Sequence, residues 1–108
     1  METASDLCLV LTTWPADQPV EAFAVQLVSE RLAACVSVSA PLTSHYWWQG
    51  AIERADERQV VIKTRRALVA ALEARLPELH PYQVPELLVL DAAASATYGA
   101  WVRDLTSG

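Results

Sequence analysis

An α+β fold is predicted by three features of the sequence. Four runs are apolar and of strand length, three stretches carry apolar residues at helical spacing, and strand, helix, strand occurs twice in succession. Leu7-Cys8-Leu9-Val10-Leu11-Thr12-Thr13 reads as a buried first strand. Trp14 to Pro19 reads as a turn, with Asp17 placed to cap a helix and Pro19 suited to its first turn. Val20, Phe23, Ala24, Leu27, Val28 and Leu32 then share one helical stripe, which predicts about four turns. Cys35 to Ser39 alternates as a strand. Pro41 marks an edge or a bulge, and Thr43 to Trp48 resumes the strand. Gln49-Gly50 is a turn, the charged Ala51–Asp56 stretch reads as a wet hairpin rim, and Arg58 to Thr64 is the third strand.

A second helix carries Leu68, Ala71, Leu72, Arg75 and Leu76 on one stripe, and Pro77 is expected to end it. His80-Pro81-Tyr82-Gln83-Val84-Pro85 must be an ordered loop, since its two prolines suit neither helix nor central strand. Leu87 to Leu90 is a fourth strand. Ser95 is placed to cap a last helix, in which Tyr98, Trp101, Val102 and Leu105 are aligned. The order β-α-β-β-α-β plus a C-terminal helix is the ferredoxin-like pattern: an antiparallel sheet with two helices on one face.

The other face of such a sheet is normally bare, and half-exposed strands alternate polar with apolar residues. Here the first and fourth strands are apolar on both sides, and Tyr46-Trp47-Trp48 must point both ways. Burial of that surface calls for another copy of the chain, with the third helix as a competing cover for part of it.

Composition excludes several classes of partner. The chain has 108 residues, 53% hydrophobic, which is one domain's length, 1–108. Its formal charge is −5 and it holds a single lysine, Lys63, which argues against nucleic acid and against a membrane surface. Residues 1–6 are acidic and show no signal peptide. Three glycines leave no room for G-x-G-x-x-G or a P-loop, so no nucleotide or flavin is expected. Cys8 and Cys35 sit in apolar runs without C-x-x-C spacing and read as a reduced, cytosolic pair.

No catalytic residues emerge. Ser44 and His45 are adjacent on a strand and point apart, and Cys35 lies among apolar neighbours that keep a thiol inert. His80, Tyr82 and Glu86 share the proline-fixed loop, which could hold an imidazole, a phenol and a carboxylate around a ligand. A helix-capping His80, or prolines that merely stiffen the connection, would give the same sequence. Glu57, Gln59, Val61 and Lys63 share a strand face if no bulge intervenes, so Lys63 could meet an anion or a carboxylate.

Arg31-Leu32-Ala33-Ala34-Cys35-Val36, Ser44-His45-Tyr46-Trp47-Trp48-Gln49-Gly50, Ile62-Lys63-Thr64, His80-Pro81-Tyr82-Gln83-Val84-Pro85-Glu86 and Tyr98-Gly99-Ala100-Trp101 match a known pattern in identity and spacing. In them the chain resembles the divalent-cation tolerance (CutA) family from Leu7 to Leu105. The resemblance implies a single CutA-like, ferredoxin-like domain in a tight homotrimer similar in architecture to PII signalling proteins. It also implies a cytoplasmic location and a link to tolerance of copper and other divalent metals; that no activated nucleophile is present argues against an enzyme. Clefts between subunits would hold any ligand, lined by Trp48, Glu57, Lys63 and Tyr82, with His80 and Glu86 as ligands to copper or zinc. Some relatives carry a cysteine at the end of the first strand, where this chain has Thr12. Without that thiolate, harder ions such as Cu(II), Zn(II) or Ni(II) fit the remaining ligands better than Cu(I). The alternative is a PII-like regulatory trimer that binds a small anion near Lys63.

Overall fold

The computed structural model of the chain describes residues 6–107; residues 1–5, most of the stretch read for a signal peptide, and Gly108 lie outside the described residues. Its elements run β1 (Leu7–Pro15), α1 (Glu21–Ser29), β2 (Cys35–Trp48), β3 (Ala51–Arg65), α2 (Val69–Leu79), β4 (Leu88–Ala92) and α3 (Ala96–Leu105), with a short 3₁₀ turn at Arg66–Leu68. The sheet order is β2-β3-β1-β4 and every pairing is antiparallel, so the predicted α+β fold is correct.

Alternation along β1 divides the molecule. Cys8, Val10, Thr12 and Trp14 face α1 and α2 and pack with Val60, Ile62, Phe23, Leu27, Leu72 and Leu76. The opposite row contains Leu9 and Leu11, paired with Leu90 and Leu88 of β4; those two leucines are exposed. At one end of this row α3 covers the sheet, where Val102 packs on Leu7 and Ala34. The open face is therefore partly sheltered by α3 and otherwise bare.

Four sequence expectations are corrected. Trp14 and Pro15 continue β1 instead of starting a turn, because Trp14 buries its ring on Phe23, with centroids 4.6 Å apart. Helix α1 has nine residues, Val20 rather than Asp17 is its N-cap, and no side chain caps it. Leu32 is on the stripe but outside the helix. Its N–H donates to the Leu27 carbonyl and that of Arg31 to Val28, while Arg31 adopts a left-handed φ of 59°. This is a Schellman stop, with Arg31 in the place glycine usually takes.

Pro77 lies inside α2, not at its end. The carbonyl it leaves without a donor belongs to Glu73, and both residues are on the exposed side. The His80 N–H still donates to the Leu76 carbonyl, and Leu79 packs on the core, so the last turn persists. Finally, Ala51–Asp56 is strand rather than rim. It pairs with Thr43–Trp48 across a two-residue turn in which Gln49 and Gly50 both have positive φ, at 49° and 81°.

The β2–β3 hairpin outruns the sheet. Pairing of β1 with β3 ends at Pro15 and Glu57, so the ladder from Thr43 to Asp56 is a two-stranded arm. The register of β2 shifts between Val38 and Pro41, where Pro41 has no N–H to donate. Ser39 bridges the gap: its hydroxyl accepts from the Gln59 N–H at 2.8 Å and its carbonyl accepts from Arg58 at 3.0 Å.

Candidate functional site

The root of the arm meets the proline-fixed loop. Glu57, the last β3 residue paired with β1, is almost wholly buried. Its Oε2 accepts a hydrogen bond from the Tyr82 hydroxyl at 2.9 Å. The Tyr82 phenol is pushed well above its usual range, first by burial and then by this bond and the Glu57 charge. Glu86 is held above the ordinary carboxylate range by burial and by the same Glu57 charge. Among the described residues no lysine, arginine or histidine forms an ion pair with Glu57 or Glu86. Beside this group, a cavity of about 310 Å³ opens between Tyr46 and Trp48 of the arm and residues 81–84 of the loop.

His80 holds the loop in place. Its Nδ1 accepts from the Tyr82 N–H at 3.0 Å, which leaves Nε2–H to donate to the Thr13 carbonyl at 2.5 Å. Its ring lies edge-on to Trp14, with centroids 4.9 Å apart. Burial lowers its pKa, against the opposing pull of the Thr13 carbonyl and Glu57, so the neutral imidazole is favoured. Both ring nitrogens are thus occupied by backbone groups.

The residues expected at a site divide into two places. Glu57, Tyr82, Glu86, His80 and Trp48 come together around the loop. Lys63 does not join them. It is six residues from Glu57 on the same strand, roughly 20 Å when extended, and its Nζ lies 5.9 Å from the centroid of Tyr98 in α3. Tyr46 was not singled out; its signal was the two-residue spacing from Trp48, which puts both on one face. Thr12 is fully buried on the helix-facing row, away from Glu57. Cys8 lies in the same row, and burial pushes its thiol up. Cys35 lies 3.7 Å from the Ser37 hydroxyl, and His80 bonds elsewhere, so the two do not pair.

The chemistry on offer is that of oxygen ligands. Two partly or fully buried carboxylates without a counterion, and a phenol bonded to one of them, favour a divalent cation that prefers oxygen. One chain does not close such a site: among the described residues no group of three His, Cys, Asp or Glu side chains is placed to hold a metal.

The family model described as CutA1 divalent ion tolerance protein matches residues 8–105. The chain belongs to the CutA1 family. It is 39% identical over 99 residues to the divalent-cation tolerance protein CutA of Thermus thermophilus, an alignment that spans 91% of this chain and 96% of the relative. Among solved structures, CutA from Synechococcus elongatus superposes with a TM-score of 0.90 at 42% identity, covering 99% of this chain and 95% of the other. CutA from Xylella fastidiosa gives 0.88 at 39%, covering 95% and 100%. CutA1 proteins are described by tolerance to divalent ions, not by a reaction. No helix among the described residues is long and apolar enough to cross a membrane.

Proposed function

We propose that this CutA1 chain acts in the cytoplasm as a homotrimer in the response to divalent metal ions, and that it binds a divalent cation weakly where its loop meets a neighbouring subunit. The observation that carries the metal reading is the Glu57–Tyr82–Glu86 group: carboxylates withdrawn from water that form no ion pair among the described residues. Burial of such charge is costly unless it is paired, and a bound divalent ion would supply the pairing. His80 serves as the positioning residue that fixes Tyr82 against β1, not as a ligand, because its nitrogens are already engaged. A neighbouring copy that docks on the arm would bring further oxygen ligands to the incomplete set.

Titration calorimetry with Zn(II) and Cu(II) tests this. Wild type should bind with micromolar or weaker affinity, and Glu86→Gln should lose about tenfold or more, since a carboxylate ligand becomes neutral. Equal binding by wild type and Glu86→Gln would refute the site.

A further inference from the structure

The metal reading uses carboxylates and leaves the aromatic residues beside them without a role. Tyr46 and Trp48 are two residues apart on the arm and share one of its faces, and Tyr82 meets them from the loop. These three make up half the lining of the cavity of about 310 Å³, and Pro81, Gln83 and Val84 complete it. Among the described residues no charged side chain lines this cavity, but negative charge stands directly behind its wall. The Tyr82 hydroxyl donates to the buried Glu57 at 2.9 Å, and neither Glu57 nor Glu86 forms an ion pair among the described residues. The cavity belongs to one chain's own arm and loop. Pairing of β1 with β3 ends at Pro15 and Glu57, so Tyr46 and Trp48 lie beyond the four-stranded sheet and its open face.

We propose that this cavity binds a small alkylated ammonium ion of the choline type. The charge of the occupant follows from the walls. Aromatic rings attract a cation to their electron-rich faces, and the carboxylates behind Tyr82 add to the attraction. The bond to Glu57 also polarises the Tyr82 phenol, which enriches its ring. Methyl groups in place of N–H follow from the same walls. Rings, a proline and a valine offer few acceptors, and Glu57 Oε2 is already engaged by the phenol, so an ammonium N–H would lose water without replacement. The volume sets the size: small-molecule sites run from roughly 300 to 1,000 Å³, and this one is at the lower end. Ring faces are no ligands to a divalent metal, so this inference goes beyond the metal reading and does not require it.

Saturation-transfer NMR on the whole chain, in EDTA, provides the test, with three probes: choline, its neutral carbon isostere and ethanolamine. Choline should bind saturably. The isostere lacks the charge and ethanolamine lacks the methyl groups, so each should bind about tenfold more weakly. Trp48→Leu should weaken choline about tenfold, while Trp48→Phe, which keeps a ring, retains more of the binding. Gln83 is exposed, so Gln83→Lys leaves the fold intact and should weaken choline about fivefold by placing a positive charge at the cavity. Absence of saturable choline binding, equal binding of either control probe, or a folded Trp48→Leu or Gln83→Lys protein that binds like wild type would overturn the proposal. EDTA removes divalent ions, so failure here leaves the metal reading untouched, and failure of the metal titration leaves this one.

Discussion

Thr12 is wholly buried between Val10 and Trp14, and its hydroxyl has no hydrogen-bond partner among the described residues. An unsatisfied buried hydroxyl costs about 1–3 kcal/mol, and valine has nearly the same shape. Thr12→Val should therefore raise stability by about 1 kcal/mol in urea denaturation; a fall would mean that the hydroxyl has a partner in solution. His80 gives a pH signature. Its folded pKa lies below the ordinary 6.5, so the unfolded chain takes up a proton that the folded chain refuses. Its contribution is complete above pH ~6.5 and is lost as pH falls toward the depressed value. Glu86, whose pKa is raised, acts in the opposite sense: its stabilising contribution is present below its ordinary 4.5 and is lost as pH rises through the raised value. Glu57 and Tyr82 also face His80, so the informative quantity is the difference between variants. His80→Gln should lose less stability than wild type between pH 7 and 5 in thermal melts. Parallel pH profiles would show that His80 is not the responsible group.

Helix α2 shows how packing overrides a local rule. Pro77 forbids one hydrogen bond, but Leu72, Leu76 and Leu79 still gain burial from another turn. Replacement of this exposed proline should restore the donor to the Glu73 carbonyl. Pro77→Ala should stabilise the protein by about 1 kcal/mol after the entropy that proline removes from the unfolded chain is counted. A lower melting temperature would show that the proline's stiffness outweighs the lost bond. The same competition explains what the sequence revealed at this scale. Strands and helices were legible because their apolar periods differ. Leu32 misled because a Schellman stop places its buried residue on the helix's own stripe. The charged Ala51–Asp56 stretch misled because an arm wet on both sides has no apolar alternation, and only its pairing partner shows that it is strand. The loop of His80, Tyr82 and Glu86 was legible from its prolines, but the backbone groups that engage both His80 nitrogens come from Thr13 and Tyr82, which no spacing rule connects. Separation of Lys63 from Glu57 was contained in strand rise alone.

The whole molecule measures 45 × 26 × 24 Å, elongated by an arm whose paired Trp47 and Ile52 are 72% and 66% exposed. An isolated two-stranded ribbon is marginally stable in water, and this one carries its largest apolar side chains outward. Leu88 and Leu90 add apolar area on the open sheet face. Together they amount to the kind of surface that other copies of the chain cover. Assembly would also add stability by mass action, making the melting temperature depend on concentration. The most direct measurement is the mass in solution at micromolar concentration, by light scattering or equilibrium sedimentation. We expect three times the 11.8 kDa of one chain, with no dissociation on dilution through the micromolar range. A folded particle of 11.8 kDa, stable with Trp47, Ile52, Leu88 and Leu90 in water, would contradict it.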